Sequence, residues 1–166
     1  MYNKLSDFLT EWKYESEATL KIFNQLTDAA IKKKFNDNIR TPGRIAWHLV
    51  TTIGEMVQRS GLKFDATPED APVPATKKEI CDEYKRSSNG MISALQNEWN
   101  DKSLNEEVNM YEQTWKKGTI LTVLIKHQAH HRGQLTVVMR LAGLKVPGVY
   151  GPAKEEWANM GMEAQE

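Results

Sequence analysis

The stretch TILTVLIKHQAHHRGQLTVVMRLAG, residues 119–143, carries a strong helical pattern. Its apolar residues recur at helical spacing up to Leu141, and Gly143 is the kind of residue that commonly ends a helix. The segment therefore predicts a long helix over residues 119–141. It also holds three of the four histidines of the protein, which are His127, His130 and His131.

His127 and His131 are the better pair of ligands within this helix. Four residues correspond to about 400° of rotation and one turn of rise, so the two imidazoles project from one face and can converge on one ion. His130 points to one side, although an i, i+3 pair with His127 also occurs in metal sites. An H-x-x-x-H pair alone is weak, because packing or exposure to solvent explains such a pair equally well.

The fourth histidine, His48, strengthens the case for a metal site. It lies in the middle of a second predicted helix, residues 44–59, on an apolar segment where an imidazole without a partner is costly to bury. Catalytic zinc usually takes three protein ligands and leaves one position open. A bundle that brings the two helices together would place His48 opposite His127 and His131.

Further helices flank these two. The spacing predicts a first helix over residues 6–26 with Ser6 as its N-cap, and a third helix that begins at a Thr76–Glu79 capping box and runs to about residue 98. The second helix opens with Thr41 as N-cap and Pro42 at its first position. Residues 61–76 form a long loop, and residues 100–118 an irregular connector with a possible short extended piece.

These helices predict an all-α fold, a four-helix bundle with long crossover connections. The chain of 166 residues has the size of one domain, so we expect a single bundle domain over residues 1–166. Its one cysteine, Cys81, excludes an internal disulfide and a cysteine-based zinc site.

Charge and hydropathy exclude other classes of function. Lys+Arg and Asp+Glu balance at 22 each, so the chain lacks the basic excess that would favour nucleic acid. The longest apolar run, residues 120–125, is far shorter than the ~20 residues of a membrane span, and the N-terminus has no signal-peptide core. We therefore expect a cytoplasmic protein that binds neither nucleic acid nor membranes.

Two motifs resemble those of a known superfamily. HQAHHRGQL at residues 127–135, continuing to RLAG at residues 140–143, closely resembles the final-helix signature of the DinB/YfiT-like superfamily, and IAWHL at residues 45–49 resembles its second-helix histidine segment. The resemblance implies a four-helix bundle, often a dimer, that binds a divalent ion, commonly zinc or nickel. Carried over, the ligands are His48, His127 and His131, and His130 is not one.

The same resemblance leaves the reaction open. Members of the superfamily look like metal-dependent hydrolases, thiol S-transferases that use low-molecular-weight thiols such as bacillithiol, or maleylpyruvate isomerases that use mycothiol. Many members have no known activity. Nor does the sequence fix the metal, since imidazole suits zinc, nickel, copper and iron.

A three-histidine site with an open position can lower the pKa of a bound water or hold a thiol as thiolate, and either suits attack on an electrophile. Glu55, two turns beyond His48, is a candidate general base or acceptor behind a ligand, or else a solvated helix residue. Other candidates are weaker. Arg132 and Gln134 can orient a ligand or substrate. The aromatic residues that can line a substrate pocket or pack in the core are Trp47, Tyr111 and Trp115.

Three hypotheses follow for the function. The first is a metal-dependent transferase or hydrolase that acts on small electrophilic molecules, in a homodimer, with a low-molecular-weight thiol as a possible cofactor. The second is a non-catalytic metal-binding or small-molecule-binding module, for example in a stress response. The third is a structural dimer whose histidines bind nothing.

Overall fold

The structure, a computed structural model, describes residues 1–164. The helices in this part of the chain are α1 (Leu5–Phe23), α2 (Asp28–Ile31), α3 (Pro42–Gln58), α4 (Lys77–Glu98) and α5 (Lys117–Leu141). Short 3₁₀ segments follow α4 and α5, at Ser103–Asn105 and Lys154–Met160. The strands β1 (Glu107–Met110) and β2 (Gln113–Lys116) form an antiparallel hairpin. Within residues 1–164, no helix combines the length and apolarity that crossing a membrane requires.

The four long helices enclose one core. Helix α3 packs between α4 and α5, and α1 contacts the same two helices from the opposite side. Each long helix turns its apolar face inwards, as helical spacing of apolar residues dictates. The largest fully buried side chains include Phe8, Trp12, Phe23, Ile53, Tyr84, Met91 and Leu95. The predicted all-α fold is confirmed, and the connector before α5 is more regular than predicted, because it forms the hairpin.

The connection between α3 and α4 is a long crossover. Both helices begin beside α2: Gly43 packs against Ile31, and the Lys77 backbone N–H donates a hydrogen bond to Asp28 (2.8 Å). The two neighbours therefore run parallel. Residues 59–76 must return along the whole length of the bundle, as the prediction of long crossover connections requires.

Two glycines allow this crossover to lie close to the helices. A Cβ on Gly54 of α3 would come within 2.7 Å of the Ala66 side chain, and a Cβ on Gly90 of α4 within 2.7 Å of the Asp65 carbonyl oxygen. Such contacts are too short for any side chain, so both positions require glycine. The loop then donates its Thr67 N–H to the buried Ser87 hydroxyl (3.0 Å).

Helix N-termini show where local sequence is sufficient and where it is not. The predicted Thr41 cap and Thr76 capping box are both confirmed. The prediction of Ser6 as N-cap of α1 is wrong, because the cap position is Lys4, whose side chain makes no capping bond. Instead Asp101, from the connector before the hairpin, accepts a hydrogen bond from the first backbone N–H of the helix (2.8 Å). A carboxylate from a distant segment satisfies the donor that Ser6 was expected to satisfy.

The turn of the hairpin holds two bulky residues in the left-handed region. Tyr111 has a φ of 52° and Glu112 a φ of 64°, where two-residue hairpins favour Asn-Gly. We expect Glu112→Gly to stabilise the protein by about 1 kcal/mol, because glycine adopts a positive φ without steric cost. Urea unfolding measures the change. The control is Asn109→Gly in β1, where φ is not positive and glycine should destabilise; equal losses in both variants would contradict the prediction.

Candidate metal centre

The three predicted ligands come together between α3 and α5. The ring of His48 lies 4.9 Å from that of His127 and 4.5 Å from that of His131, measured between centroids. The rings of His127 and His131 are 4.3 Å apart. One nitrogen from each residue lies within 4.8 Å of the other two. These three histidines, which we call the triad, are within metal-binding distance of one another.

A buried amide fixes the register that brings the helices together. Gln128, which follows His127, is fully buried and donates from Nε2 to the backbone carbonyl of Leu49, the residue after His48 (2.9 Å). Its Oε1 accepts a hydrogen bond from the hydroxyl of Tyr84 on α4 (3.1 Å). Each polar atom of the amide thus has a partner from another helix. Sliding of α5 against α3 would break the bond to Leu49, and sliding of α5 against α4 the bond to Tyr84.

The spacing of the triad fits a divalent ion. Three atoms no more than 4.8 Å apart leave a point within about 2.8 Å of each, which is 4.8 Å divided by the square root of three. A zinc–nitrogen bond is about 2.0–2.1 Å long, so small side-chain rotations would bring all three imidazoles into bonding distance. Imidazole nitrogen is a ligand suited to zinc, nickel, copper and iron.

An unpaired nitrogen also lies in the triad. Among residues 1–164, His127 Nδ1 is the buried side-chain polar atom without a hydrogen-bond partner. Buried polar groups in native proteins are nearly always paired, and an unpaired one at a functional site calls for a ligand or ion. The donor set and this unpaired nitrogen both fit a site built for a metal.

Burial keeps the imidazoles neutral. Loss of solvation, followed by the neighbouring His131 and then by Arg40 and Arg44, lowers the pKa of His48 to about 4. Loss of solvation, followed by His131 and His48, lowers the pKa of His127 to about 4 as well. The pKa of His131 is also lowered, mainly by burial. At neutral pH the triad therefore presents lone pairs rather than N–H⁺ groups, which is the form that binds metal ions.

Gln134 orients one ligand of the triad. Its Oε1 lies 2.8 Å from His131 Nδ1, and its Nε2 lies 3.0 Å from His130 Nε2. An amide oxygen only accepts, so His131 carries its proton on Nδ1 and keeps the lone pair on Nε2. Partners of this kind fix the tautomer and ring direction of metal-binding histidines. His130 is exposed and lies outside the triad.

We expect Gln134→Ala to weaken zinc binding by about 10-fold to 100-fold, the usual effect of removing such a partner. Gln134 is exposed on α5, so the fold should be unaffected. Competition with a coloured chelator measures the affinity. Gln134→Glu retains an acceptor for His131 and should bind zinc within a few-fold of the wild type. Unchanged affinity in Gln134→Ala would remove this residue from the site.

Glu55 lies apart from the triad. It is about 10 Å further along the axis of α3 than His48, and its carboxylate accepts hydrogen bonds from Arg59 (2.7 Å) and from the Tyr111 hydroxyl (2.9 Å). Burial, followed by the hydrogen bond to Glu55 and the negative charge of that carboxylate, raises the pKa of Tyr111 to about 12. The role of Glu55 as a general base or as an acceptor behind a ligand stays a prediction.

The other candidates occupy varied positions. Arg132 is buried and pairs with Glu15 of α1, as an arginine beside a core commonly does. Trp47 is buried and donates to the Ala71 carbonyl of the crossover loop (2.7 Å), so it is a core residue. Trp115 is half-buried against Tyr111, with ring centroids 5.9 Å apart.

A cavity of about 490 Å³ opens beside His131. Its walls come from the segment before α3, from α3 itself and from the last turns of α5, and consist of Asn38, Ile39, Arg40, Ile45, His131, Gln134, Val137, Val138 and Leu141. Residues 38–40 were not predicted from the sequence, because they belong to no periodic segment. Their one local signal is that they directly precede the Thr41 cap. The cavity gives the candidate centre a place for a small molecule.

An all-α bundle in which two antiparallel helices bring three histidines within metal-binding distance defines a class of helical proteins with a candidate metal centre. The chain matches the DinB family over residues 1–166 and belongs to that family. The resemblance predicted from the two histidine motifs is thereby confirmed.

Individual relatives agree with this assignment. The chain is 48% identical over 164 residues to the uncharacterized protein YrdA of Bacillus subtilis (strain 168), covering 99% of this chain and 98% of the relative. It is similar to the crystal structure of a DinB-like protein from Bacillus cereus ATCC 10987, with 43% identity, a TM-score of 0.86, and 90% of this chain and 100% of that chain covered. A DinB-like protein of Bacillus subtilis, YjoA, has the same fold at 14% identity and a TM-score of 0.68, with 86% and 96% covered.

Proposed function

We propose that the protein is a divalent-metal-dependent enzyme, a thiol S-transferase or a hydrolase, that acts on small electrophilic molecules through His48, His127 and His131. The observation that carries the proposal is the convergence of three neutral imidazoles beside a cavity large enough for a small molecule. Zinc or nickel is the proposed ion, and a low-molecular-weight thiol the proposed cofactor in the transferase case. We further propose a cytoplasmic homodimer.

A bound ion would supply Lewis acidity, which polarises an electrophile or lowers the pKa of a water or thiol. The residues of the chain supply the rest. Burial holds His48 and His127 neutral and ready to act as ligands. Gln134 holds the proton of His131 on Nδ1 and so directs Nε2 towards the ion. The apolar part of the cavity wall would contact the apolar part of a bound substrate.

One observation favours a non-catalytic binding module instead. Within the part of the chain that the structure describes, the residues that line the cavity include no Asp or Glu, so no carboxylate there can act as a general acid or base. A binding protein needs none. A thiol transferase also works without a carboxylate base, because a thiol whose pKa has been lowered is already a thiolate and attacks directly.

Turnover separates these functions. Zinc-loaded and nickel-loaded protein is assayed with a low-molecular-weight thiol plus a chloroaromatic electrophile, and separately with small esters. We expect turnover in one of the two assays, its loss in His48→Ala, and its retention in His130→Ala, the control outside the triad. Metal bound at one ion per chain with no turnover in either assay would favour the binding module. Sedimentation velocity tests the homodimer separately.

A further inference from the structure

We infer that the cavity beside His131 selects small carboxylate anions with an apolar body, and that Arg40 is the residue that recognises the charge. The inference deepens the proposed function by naming a class of ligand for the same site. It rests on the proposed function because it takes the triad as the reacting centre. The charge of the cavity and the residues that line it do not depend on that proposal.

The charges around the cavity are positive. Arg40 is exposed and belongs to the cavity wall, and Arg44 lies one turn before His48 on α3. Both guanidinium groups act electrostatically on His48, and Arg40 also acts on His131. Neither arginine takes part in an ion pair among residues 1–164, whereas Arg59, Arg86, Arg132 and Arg140 all do. Arg40 is therefore available to an anionic ligand.

The three neutral imidazoles of the triad also favour an anionic molecule in the cavity. Three neutral imidazoles leave the full charge of a divalent ion uncompensated, in contrast to a site with carboxylate ligands. The cavity wall among the described residues adds no Asp or Glu. An anion placed between the centre and Arg40 would thus meet positive charge on both sides, and a cation would be repelled.

Beyond this polar end the wall is apolar. Ile39, Val137 and Leu141 line the cavity, and Val137 and Leu141 remain 58% and 53% exposed. On α5 these two residues lie about 9 Å and 15 Å along the helix axis from His131. A ligand held by its carboxylate near Arg40 would lay its apolar part over them. The volume of about 490 Å³ is that of an ordinary small-molecule site.

Titration calorimetry with octanoate, butyrate and octanol tests the inference on zinc-treated protein whose metal content has been measured. The variants are Arg40→Gln and a matched control, Arg140→Gln. Arg140 neighbours Leu141 and carries the same charge, but its guanidinium is already paired with Glu155. Both arginines are exposed, so neither substitution should disturb the fold. The same titrations are repeated on protein treated with chelator.

We expect octanoate to bind wild-type protein more tightly than butyrate and at least about tenfold more tightly than octanol. Arg40→Gln should weaken octanoate by about tenfold or more and leave octanol unchanged, because a hydrogen bond to a charged group is lost. Arg140→Gln should stay within about twofold of wild type.

Equal affinity for octanoate and octanol, or equal affinity of wild type and Arg40→Gln for octanoate, would overturn the inference. The absence of octanoate binding would also overturn it, and a dimer in sedimentation would then favour a second copy of the chain as the partner of Val137 and Leu141. The two proposals fail separately. Bound zinc without octanoate selectivity contradicts the anion site alone, whereas selective octanoate binding by a protein that takes up no metal contradicts the metal centre alone.

Discussion

Protein purified without a tag is expected to bind close to one zinc or nickel ion per chain, and His127→Ala is expected to lose more than nine-tenths of it. The substitution leaves two imidazoles, fewer than the three protein ligands that a site with an open position normally needs. It also removes the ring whose Nδ1 is buried without a hydrogen-bond partner. Elemental analysis after dialysis against a low concentration of the ion measures the content per chain.

The matched control for this experiment is His130→Ala. The residue type and the helix are the same, but His130 is exposed and lies outside the triad. It should retain the metal content of the wild type. Circular dichroism should show unchanged helix content in both variants, since alanine favours a helix. Wild-type protein that takes up no ion, or equal loss in both variants, would overturn the metal centre.

Thermal unfolding gives a second readout of the same site. A ligand that binds only the folded state at 100 times its Kd stabilises that state by about 2.7 kcal/mol. Added zinc should therefore raise the Tm of wild type and of His130→Ala, and leave that of His127→Ala unchanged. A rise of equal size in all three proteins would mean that zinc binds elsewhere on the chain.

Sequence alone could predict the parts of the molecule that depend on local periodicity. The four long helices follow from apolar spacing, and the Thr41 and Thr76 caps from short-range rules. The triad was also predictable, because an i, i+4 pair on one helix needs only one further histidine, and the chain has only His48 outside that helix.

The features that sequence analysis missed depend on segments far apart in the chain. Asp101 caps α1 from 96 residues away, and no local rule could have replaced Ser6 as the expected cap. The cavity combines the end of α5 with residues 38–40, whose sequence carries no pattern. The partner of Arg132 is 117 residues earlier in the chain, and only the packing of α1 on α5 reveals it.

That partner, Glu15, is expected to be one of the most sensitive positions in the fold: Glu15→Ala should lower the free energy of unfolding by about 3–5 kcal/mol. The Arg132 and Glu15 side chains are 3% and 5% exposed. Arg132 donates to the Glu15 carboxylate, to the Glu15 carbonyl (3.0 Å), to Thr19 (3.0 Å) and to the Tyr150 hydroxyl. Removing the carboxylate leaves a buried cation without its counter-charge.

The exposed pair of Arg140 and Glu155 provides the control. The side chains of that pair are 42% and 26% exposed, so Glu155→Ala should cost less than about 1 kcal/mol. Urea unfolding of both variants measures the difference. Tyr150 also donates to Glu15 (2.8 Å), so Glu15→Ala should additionally release the segment after α5 to proteolysis, which Glu155→Ala should not do to the same extent.

A double variant distinguishes two causes of the lost stability, an unpaired guanidinium and a cavity. If the penalty in Glu15→Ala arises from the unpaired guanidinium, replacing Arg132 by Met as well should recover much of it, because two apolar side chains need no counter-charge. If the penalty arises from the cavity left by the glutamate, the double variant should be less stable than either single one. Losses of similar size in Glu15→Ala and Glu155→Ala would show that burial does not make this pair important.

Zinc binding by the double variant would also show whether the triad keeps its affinity without the neighbouring Arg132–Glu15 ion pair.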